Sequence, residues 1–485
     1  MYIQVIIPKI FKLIIDPDKL KTFKVSSLFY ILVSGLLFIN HPAFSFFHSQ
    51  NKTHQSLSDT VKIIRGPYLQ MGTTSSIIIR WRTNIPTDSR ILYGKSSKNL
   101  NQTAEDKKNT TEHILQLSEL EQYTKYYYSV GNSEKIIHGN DSSYYFITAP
   151  EDTGDKTVRI WVIGDFGTAD SIPKAVKNAY LHNKKNKHTD AWLMLGDIAY
   201  TRGTDEQYQK ALFDNMYDEL LSNTVIWPTP GNHDCRTADS ETQSGPYYDI
   251  FSLPTRGEAG GIPSETEAYY SFDYGNIHFI SLDTEDTPLD SDGDMLSWLE
   301  SNLKANKSRW TIVFFHHPPY TKGTHNSDKH WDSGGRMTHV RENILPILDK
   351  YGVDLVMSGH SHVYERSYLI ANHYGHAKTF KAKTMTINSE GKKKRHPSSY
   401  IKTENGPGTI YVVCGVSGNR PRAGHFGHPA MAYCSDKYHG SLSIEIKNDQ
   451  LYAIFLDDRG KVRDWFRIDK KEKTIAEIPA LGGDN

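Results

Sequence analysis

Five short motifs in this chain carry residues that favour metal binding, and each lies at or just past the end of an apolar run typical of a buried strand. The motifs are Gly-Asp-Phe-Gly, Gly-Asp-Ile-Ala-Tyr, Gly-Asn-His-Asp, Val-Phe-Phe-His and Gly-His-Ser-His. Their seven candidate ligands are Asp165, Asp197, Tyr200, Asn232, His316, His360 and His362. Because the carboxyl ends of parallel strands meet at one edge of a sheet, we expect these oxygen and nitrogen donors to converge there.

A carboxylate placed between two ion positions can bridge a pair of metals, and paired metals are suited to hydrolysis of phosphate esters. Each motif alone is a weak signal, because Gly-Asp after a strand is common in turns. The five motifs together, each after a strand, favour a metal site over a purely structural role.

The elements that must position these residues follow from the pattern after Pro150, where apolar runs alternate with helical spacings. One predicted helix is capped near Asp170 or Ser171 and runs towards His182. The alternation predicts a layered α/β domain over 156–470. A polar segment at 371–405, which contains the basic run at 392–396, interrupts it, and we expect a surface loop there.

Residues 62–150 contain short strands and turns but no helical pattern, which predicts a small β-sandwich with Trp81 in its core. Nothing in this region indicates catalysis. The chain has 485 residues, which fits two or more domains.

The N-terminal 45 residues are predicted to be a signal peptide or a membrane anchor. Lys19, Lys21 and Lys24 precede an uncharged stretch whose densest apolar part is short for a bilayer span, with a cleavage signal near residues 43–45. Residues 46–61 are predicted to be a linker. Either interpretation places the bulk of the chain outside the cytoplasm. Glycosylation sequons, which matter only if the host glycosylates, occur at Asn51, Asn101, Asn109, Asn140 and Asn306.

Charge and cysteine content limit the other classes of function. Lys plus Arg and Asp plus Glu number 56 each, so we expect no nucleic-acid partner. Three cysteines are too few for a disulfide framework. Cys414 and Cys434 could form a disulfide in an export compartment. Cys235 is expected to be a buried structural thiol rather than a ligand or nucleophile.

The combined motifs resemble those of the calcineurin-like metallophosphoesterases, and within them those of the purple acid phosphatases. Residues 65–70 and 77–81 are similar to the start of that family's fibronectin-like domain. The resemblance implies a fibronectin type III-like β-sandwich at 62–150, followed by an α/β/β/α metallophosphoesterase domain. Most members of the superfamily have Asp-x-His at the first motif. This chain has Gly167 there, and Tyr200 supplies the additional ligand.

By this resemblance, two ions share Asp197. The first ion is held by Asp165, Asp197, Tyr200 and His362, and the second by Asp197, Asn232, His316 and His360. A phenolate is a hard ligand that suits ferric iron, Fe(III), and charge transfer from it would colour the protein. The second set fits zinc, manganese or ferrous iron, Fe(II), and the sequence does not decide among them.

The resemblance further implies a secreted acid phosphatase that hydrolyses phosphate monoesters by attack of a metal-bound hydroxide. His233 and His325 are expected to contact phosphate and donate a proton, and Asn232 also to contact the substrate. Plant members often have a second histidine where this chain has Asn326, so the division of proton donation stays open. His317 is expected to support the site rather than bind metal.

Two alternatives compete with the monoesterase hypothesis. One is a phosphodiesterase or nucleotide pyrophosphatase activity on the same centre. The other is a cell-surface binding protein that kept the fold and lost turnover, which the seven intact candidate ligands argue against. A homodimer is compatible with the sequence, and a stable membrane partner is expected only if the N-terminal segment is retained.

Overall fold

The structure, a computed structural model, describes residues 60–216, 219–387, 398–418 and 426–471. These residues belong to one compact unit, Asp59–Asn485. The predicted signal segment or anchor, nearly all of the predicted linker and the basic run at 392–396 lie outside the described residues. Within the described ranges, no helix combines the length and apolar character that crossing a bilayer requires.

The N-terminal region consists of strands, as predicted. They are β1 (Ile63–Gln70), β2 (Ile77–Gly94), β3 (Gln102–Leu117), β4 (Lys125–Gly131), β5 (Ile136–Gly139) and β6 (Tyr145–Ile147). The long strand β2 connects these strands. Its first part pairs with β1, its last part pairs with β4, and β3 pairs with both parts of β2. The predicted core residue Trp81 is 1% exposed and stacks on His113.

Strands and helices alternate in the following region, as the sequence pattern predicted. The strands are β7 (Val158–Ile163), β8 (Ala191–Met194), β9 (Val225–Pro228), β10 (Tyr270–Tyr274), β11 (Ile277–Leu282), β12 (Trp310–Phe315), β13 (Leu355–Ser358), β14 (Tyr364–Ser367), β15 (Ser399–Thr403), β16 (Ile410–Cys414), β17 (Met431–Ser435), β18 (Gly440–Lys447), β19 (Gln450–Asp457) and β20 (Val462–Lys471). The α-helices are α1 (Ser171–Lys184), α2 (Asp205–Tyr208), α3 (Glu219–Asn223), α4 (Pro246–Ile250), α5 (Asp294–Ala305), α6 (Arg336–His339), α7 (Leu345–Lys350) and α8 (Ala382–Met385). Helix α1 is capped by Asp170, whose carboxylate accepts a hydrogen bond from the backbone N–H of Ile172.

Two sheets form the central layers. One has the order β15-β20-β19-β18-β7-β8-β9-β1-β2-β4-β5, and the other β10-β11-β12-β13-β16-β14-β17. Strand β12 shows why both sheets are buried. Its Ile312 and Phe314 belong to the apolar core that contains residues of both sheets, whereas Val313 and Phe315 lie in a second core with Leu299 of α5. Alternate side chains therefore face the other sheet and the helices, which gives an α/β/β/α arrangement.

Hydrogen bonds join the N-terminal strands to the α/β layers. Arg65 and Arg82 both donate to the Asp205 carboxylate, at 3.0 Å for Arg65 Nη1 and 2.6 Å for Arg82 Nη1. The Tyr128 hydroxyl donates to the Ser222 carbonyl at 2.7 Å. These charge-assisted and buried bonds fix one part of the unit against the other.

The prediction of a surface loop over 371–405 is incomplete. Residues 399–403 form the edge strand β15, which pairs with β20 in parallel. The alternation there was obscured because Lys402 points inward, where its ammonium donates to the Gly352 and Val353 carbonyls at 2.7 Å and lies 2.9 Å from the buried Asp354. A buried lysine is tolerated when it is fully paired in this way.

A disulfide between Cys414 and Cys434 does not form, and all three cysteines are free. Strand β14 separates the two residues, since Cys414 is opposite Tyr364 and Cys434 is opposite Glu365. Two strand spacings amount to about 9–10 Å, which exceeds the reach of a disulfide. Neighbouring residues of β14 also face opposite sides of the sheet, so the two thiols point apart.

Candidate metal centre

The predicted ligands lie just beyond the carboxyl ends of strands from both sheets. Strands β7, β8 and β9 run parallel in one sheet, and β12 and β13 run parallel in the other. Asp165, Asp197 and Asn232 follow the first three strands, and His316 and His360 follow the last two. The centre therefore forms where two parallel edges meet.

One group of donors combines two carboxylates, a phenol and an imidazole. Suitable ligand atoms of Asp165, Asp197 and His362 all lie within 4.8 Å of one another. The Tyr200 hydroxyl donates to Asp165 Oδ1 at 3.3 Å and lies 3.2 Å from His362 Nε2. These are the four residues predicted for the first ion, and their oxygen-rich composition suits a hard cation.

A second group brings together three hydrogen-bond acceptors, one each from Asn232, His316 and His360. The His316 Nδ1–H donates to the Leu195 carbonyl at 2.8 Å, which leaves its Nε2 as an acceptor. His316 Nε2 lies 3.1 Å from Asn232 Oδ1 and 3.3 Å from His360 Nδ1, and His360 Nδ1 lies 3.0 Å from Asn232 Oδ1. Three acceptors at such distances need a cation or a proton between them, so the donor set fits a bound divalent metal.

Asp197 connects the two groups. It belongs to the first group, and its Oδ1 also lies 3.5 Å from His316 Nε2 of the second. The side chain is 2% exposed, and its Oδ1 accepts the backbone N–H of His233 at 2.9 Å. The predicted bridging carboxylate thus lies between the predicted ligands of both ions.

The backbone at the centre is strained. Asp165, Asp197 and His360 have φ angles of 57°, 53° and 64°, in the left-handed region that non-glycine residues avoid. Each such residue costs about 1 kcal/mol or more, and strain of this kind concentrates at functional sites. Gly167 is required for a different reason, because a Cβ there would lie 2.6 Å from the Ala199 backbone nitrogen. No imidazole could occupy that position in this conformation.

Electrostatics divide the ligands at the centre. Despite burial, the Asp197 and Asp165 carboxylates raise the pKa of His316, and a hydrogen bond to Asp165 raises that of His362, whereas Tyr200 and His360 are held in their neutral forms. Burial and the nearby Asp165 and Asp197 carboxylates raise the pKa of Tyr200 well above its usual value. Burial and the imidazoles of His317 and His316 lower the pKa of His360 well below its usual value. A phenolate at Tyr200 therefore requires a cation beside it.

Asp234, the last residue of Gly-Asn-His-Asp, anchors the loops that carry two predicted ligands. Its carboxylate is fully buried and accepts hydrogen bonds from the backbone N–H groups of Ile198, Ala199 and Gly231 at 3.3 Å or less, and from the Tyr208 hydroxyl at 2.7 Å. Burial and Asp197 raise the pKa of Asp234 to about 7. The Gly-Asn-His-Asp motif contains Asp234, but nothing in the motif alone predicts this anchoring role.

Both predicted proton donors lie at the centre and reach solvent. The His233 side chain is 23% exposed. Its Nδ1–H donates to the Thr201 carbonyl at 2.7 Å, and its Nε2 lies 3.9 Å from Asp197 Oδ2. The His325 side chain is 34% exposed, and its ring stacks on that of His360 with centroids 4.0 Å apart. Each histidine thus has one ring nitrogen available to a ligand.

His317 lies closer to the centre than its predicted supporting role suggested, since one of its nitrogens is within 4.8 Å of nitrogens of His316 and His360. Its Nδ1 hydrogen-bonds to Thr284 Oγ1 at 3.0 Å, and its Nε2 lies 3.5 Å from Glu285 Oε2. Because both nitrogens have side-chain partners, this geometry fits a support for the ligands.

Cys235 is not part of either donor group in the described residues. Burial and nearby carboxylates, Asp283 first among them, raise the pKa of its thiol well above the usual value. The protonated thiol is a poor nucleophile.

Comparisons with known proteins agree with this geometry. The family model described as calcineurin-like phosphoesterase matches residues 158–364, and the model described as purple acid phosphatase, N-terminal domain, matches residues 65–149. Purple acid phosphatase 21 of Arabidopsis thaliana is 28% identical over 262 residues, which are 52% of this chain and 53% of the relative. Acid phosphatase type 7 of Homo sapiens is 28% identical over 331 residues, 62% of this chain and 70% of the relative.

The structure of purple acid phosphatase PPD1 from yellow lupin (Lupinus luteus) seeds superposes with a TM-score of 0.63 at 19% identity, covering 83% of this chain and 74% of that one, which supports the fold. The chain spans about half the length of the Arabidopsis relatives that it matches, 53% and 50%. The two models follow each other along the chain in the order of the two structural parts, so the chain combines a region similar to the N-terminal domain of purple acid phosphatases with a calcineurin-like phosphoesterase domain.

Proposed function

We propose that this protein is a secreted acid phosphatase that hydrolyses phosphate monoesters at a dinuclear centre, with ferric iron in the first site and zinc, manganese or ferrous iron in the second. The observation that carries the proposal is the position of Asp197, within 4.8 Å of the first donor group and 3.5 Å from His316 of the second. The matches to both family models and the acid phosphatases among the matched relatives support it.

The proposed ligands divide as the two donor groups do. Asp165, Tyr200 and His362 would hold the first ion, Asn232, His316 and His360 the second, and Asp197 both. When bound, the two ions would activate water and neutralise the negative charge of the phosphoryl group.

The chain's own residues supply orientation and proton transfer. The carbonyls of Leu195 and Thr201 fix the rings of His316 and His233 through their Nδ1–H groups. The Nε2 atom of His233 therefore faces Asp197, where it can contact a phosphate oxygen. The partly exposed His325 lies over His360 and can donate a proton to the leaving group.

Export is part of the proposal and is supported by the uncharged segment after Lys24. The sequons at Asn101, Asn109 and Asn140 are exposed, so these side chains could accept a glycan in a glycosylating host. Phosphate esters are the proposed substrates. Processing of the N-terminal segment can be read from the N-terminal sequence of protein recovered from the native host.

The direct test is turnover of p-nitrophenyl phosphate and bis(p-nitrophenyl) phosphate by the full-length protein, together with its metal content. We expect faster turnover of the monoester, an optimum below neutral pH, and two metal ions per chain including iron. Preference for the diester would favour the phosphodiesterase alternative. An optimum well above neutral pH would contradict the proposed ferric centre.

A matched pair of variants separates the centre from general stability. Asp197→Asn should lower kcat/KM by more than the roughly 10–100-fold typical of residues that only support a metal ligand. Asp190→Asn is the control, because Asp190 accepts from the Tyr274 hydroxyl and the Arg159 backbone N–H, away from the centre. Equal losses in the two variants would show that Asp197 is needed only for folding.

A further inference from the structure

A single carboxylate, that of Asp332, joins the predicted proton donor to its own loop. Its Oδ1 accepts a hydrogen bond from His325 Nδ1 at 2.8 Å and from Ser333 Oγ at 3.0 Å. Its Oδ2 accepts the backbone N–H of Asn326 at 2.8 Å. The Asp332 side chain is 13% exposed, so these bonds are partly shielded from water.

The same network reaches a predicted metal ligand. Ser333 Oγ lies 2.6 Å from His360 Nε2. The His360 Nε2–H therefore donates to Ser333, and its Nδ1 is left to face Asn232. Because the Ser333 hydroxyl donates onward to Asp332, the chain of hydrogen bonds runs from His360 through Ser333 and Asp332 to His325.

The backbone holds this network at a cost. Ser333, Gly334 and Gly335 have successive φ angles of 54°, 59° and 84°. Two of the three residues are glycines, for which the left-handed region carries no penalty, but Ser333 is not. A strained residue whose hydroxyl contacts a predicted ligand indicates that the position of this side chain matters to the site.

We infer that Asp332 is a positioning residue for proton donation to the leaving group, acting through the ring of His325. This inference rests on the proposed function. With Nδ1 held by Asp332 and the ring stacked on His360, the Nε2 edge of His325 is the one left for substrate. Among the other carboxylates of this loop, Asp328 does not serve His325, since it accepts from the Ala377 backbone and lies 3.1 Å from Lys322 Nζ.

The proton transfer balances as follows. The bond between phosphorus and the ester oxygen breaks, and its electron pair goes to that oxygen. The ester oxygen takes the proton from His325 Nε2 and leaves as an alcohol. Water provides the oxygen of the new bond to phosphorus, and the proton that the water releases restores the histidine.

The test compares two leaving groups that differ in their need for a proton. p-Nitrophenolate leaves readily without one, whereas the alkoxide of glycerol 2-phosphate does not. For Asp332→Ala in the full-length protein, we expect kcat/KM to fall about 10–100-fold with glycerol phosphate and only a few-fold with p-nitrophenyl phosphate. The double variant Asp332→Ala/His325→Ala should be no slower than His325→Ala alone, because the two residues act as one unit.

Asp349→Ala is the matched control. Asp349 also accepts two hydrogen bonds from a loop, those of the Asn372 backbone N–H and the Tyr374 hydroxyl, both at 2.8 Å, but it contacts no predicted site residue. We expect this variant to lose stability without changing the ratio of the two esters. If Asp332→Ala does not fold, Asp332→Asn keeps the size of the side chain and should show the same selective loss to a smaller degree.

Equal losses of kcat/KM with both esters, or additive losses of kcat/KM in the double variant, would overturn the role of Asp332 while leaving the proposed function intact. Absence of turnover of either ester by the metal-replete wild-type protein would instead refute the proposed function, and the role of Asp332 with it. Metal content measured on each variant shows whether a loss follows from metal release, which would place Asp332 among residues that support metal binding only.

Discussion

Replacing Asp234 with Ala should be one of the most destabilising single substitutions near the metal centre. The carboxylate is 0% exposed, and it satisfies three backbone N–H groups and the hydroxyl of Tyr208. Each buried donor left without a partner costs about 1–3 kcal/mol, so four of them amount to at least about 4 kcal/mol. Water entering the vacated space, and relief of the repulsion between Asp234 and Asp197, would recover part of this, and we expect a net loss of about 3–6 kcal/mol in the free energy of unfolding.

The assay is urea unfolding in the presence of a chelator, because bound metal would stabilise the native state and mask the difference. Tyr208→Phe is the graded control. This substitution removes the hydroxyl and its hydrogen bond to Asp234 but leaves no buried donor without a partner. It should lower the free energy of unfolding by only about 1 kcal/mol. Asp234→Asn keeps one acceptor oxygen and should fall between the two.

The same substitution should also lower metal affinity, since Ile198 and Gly231 are neighbours of the predicted ligands Asp197 and Asn232. Residues that orient ligands typically contribute about 10–100-fold in affinity. An unfolding free energy within about 1 kcal/mol of wild type, or an effect no larger than that of Tyr208→Phe, would refute the view that Asp234 anchors both loops.

Three further predictions concern single residues. Tyr200→Phe should abolish the visible absorption expected of a ferric phenolate, and an unchanged band would show that Tyr200 is not a ligand. Asp205→Ala leaves the guanidinium of Arg65, a side chain only 1% exposed, without its carboxylate. Because the Asp205 side chain is 44% exposed and solvent screens the pair, the unfolding free energy should fall by only about 1–2 kcal/mol at neutral pH. Burial acts to raise the pKa of Asp205, but hydrogen bonds from Arg82 and Arg65 outweigh it and lower this pKa to about 2. The contribution of Asp205 to stability is therefore present above its unfolded pKa of about 4 and is lost as the pH falls towards 2. The difference in unfolding free energy between wild type and this variant, measured with urea, should therefore become smaller below about pH 4. A difference that stays constant with pH would contradict the ion pair. Gly167→Ala places a Cβ 2.6 Å from the backbone of the second motif and should therefore lower the amount of bound metal, as measured by elemental analysis. A variant that binds as much metal as wild type would show that this contact does not matter to the site.

The strands that carry the predicted ligands could be read from the sequence because both of their faces are buried. A strand such as β12, Trp310–Phe315, is buried throughout and apolar except for Thr311, so it is recognisable without any knowledge of its neighbours. The residue that follows it, His316, then falls at the sheet edge by necessity. The fold class and the convergence of the donors follow from this local signal repeated five times.

Elements that depend on a specific distant partner could not be read in this way. Strand β15 contains Lys402, whose charge suggests solvent, and its burial makes sense only beside Asp354 and the Gly352 carbonyl. The separation of Cys414 from Cys434 likewise depends on β14 lying between their strands, an order that is not visible in the spacing of the two cysteines.

The motifs specify which donors are present, but groups outside the motifs decide which atom of each imidazole is offered. His316 presents Nε2 because the Leu195 carbonyl takes its Nδ1–H, and His360 presents Nδ1 because Ser333 takes its Nε2–H. Opposite nitrogens of two histidines thus face the same oxygen of Asn232. Loss of Ser333 would free His360 to rotate or to change tautomer while leaving every motif residue in place. A chain with all seven predicted ligands could therefore still hold its second ion poorly, and the loop that carries Ser333 is as necessary to the geometry of the centre as the motifs themselves.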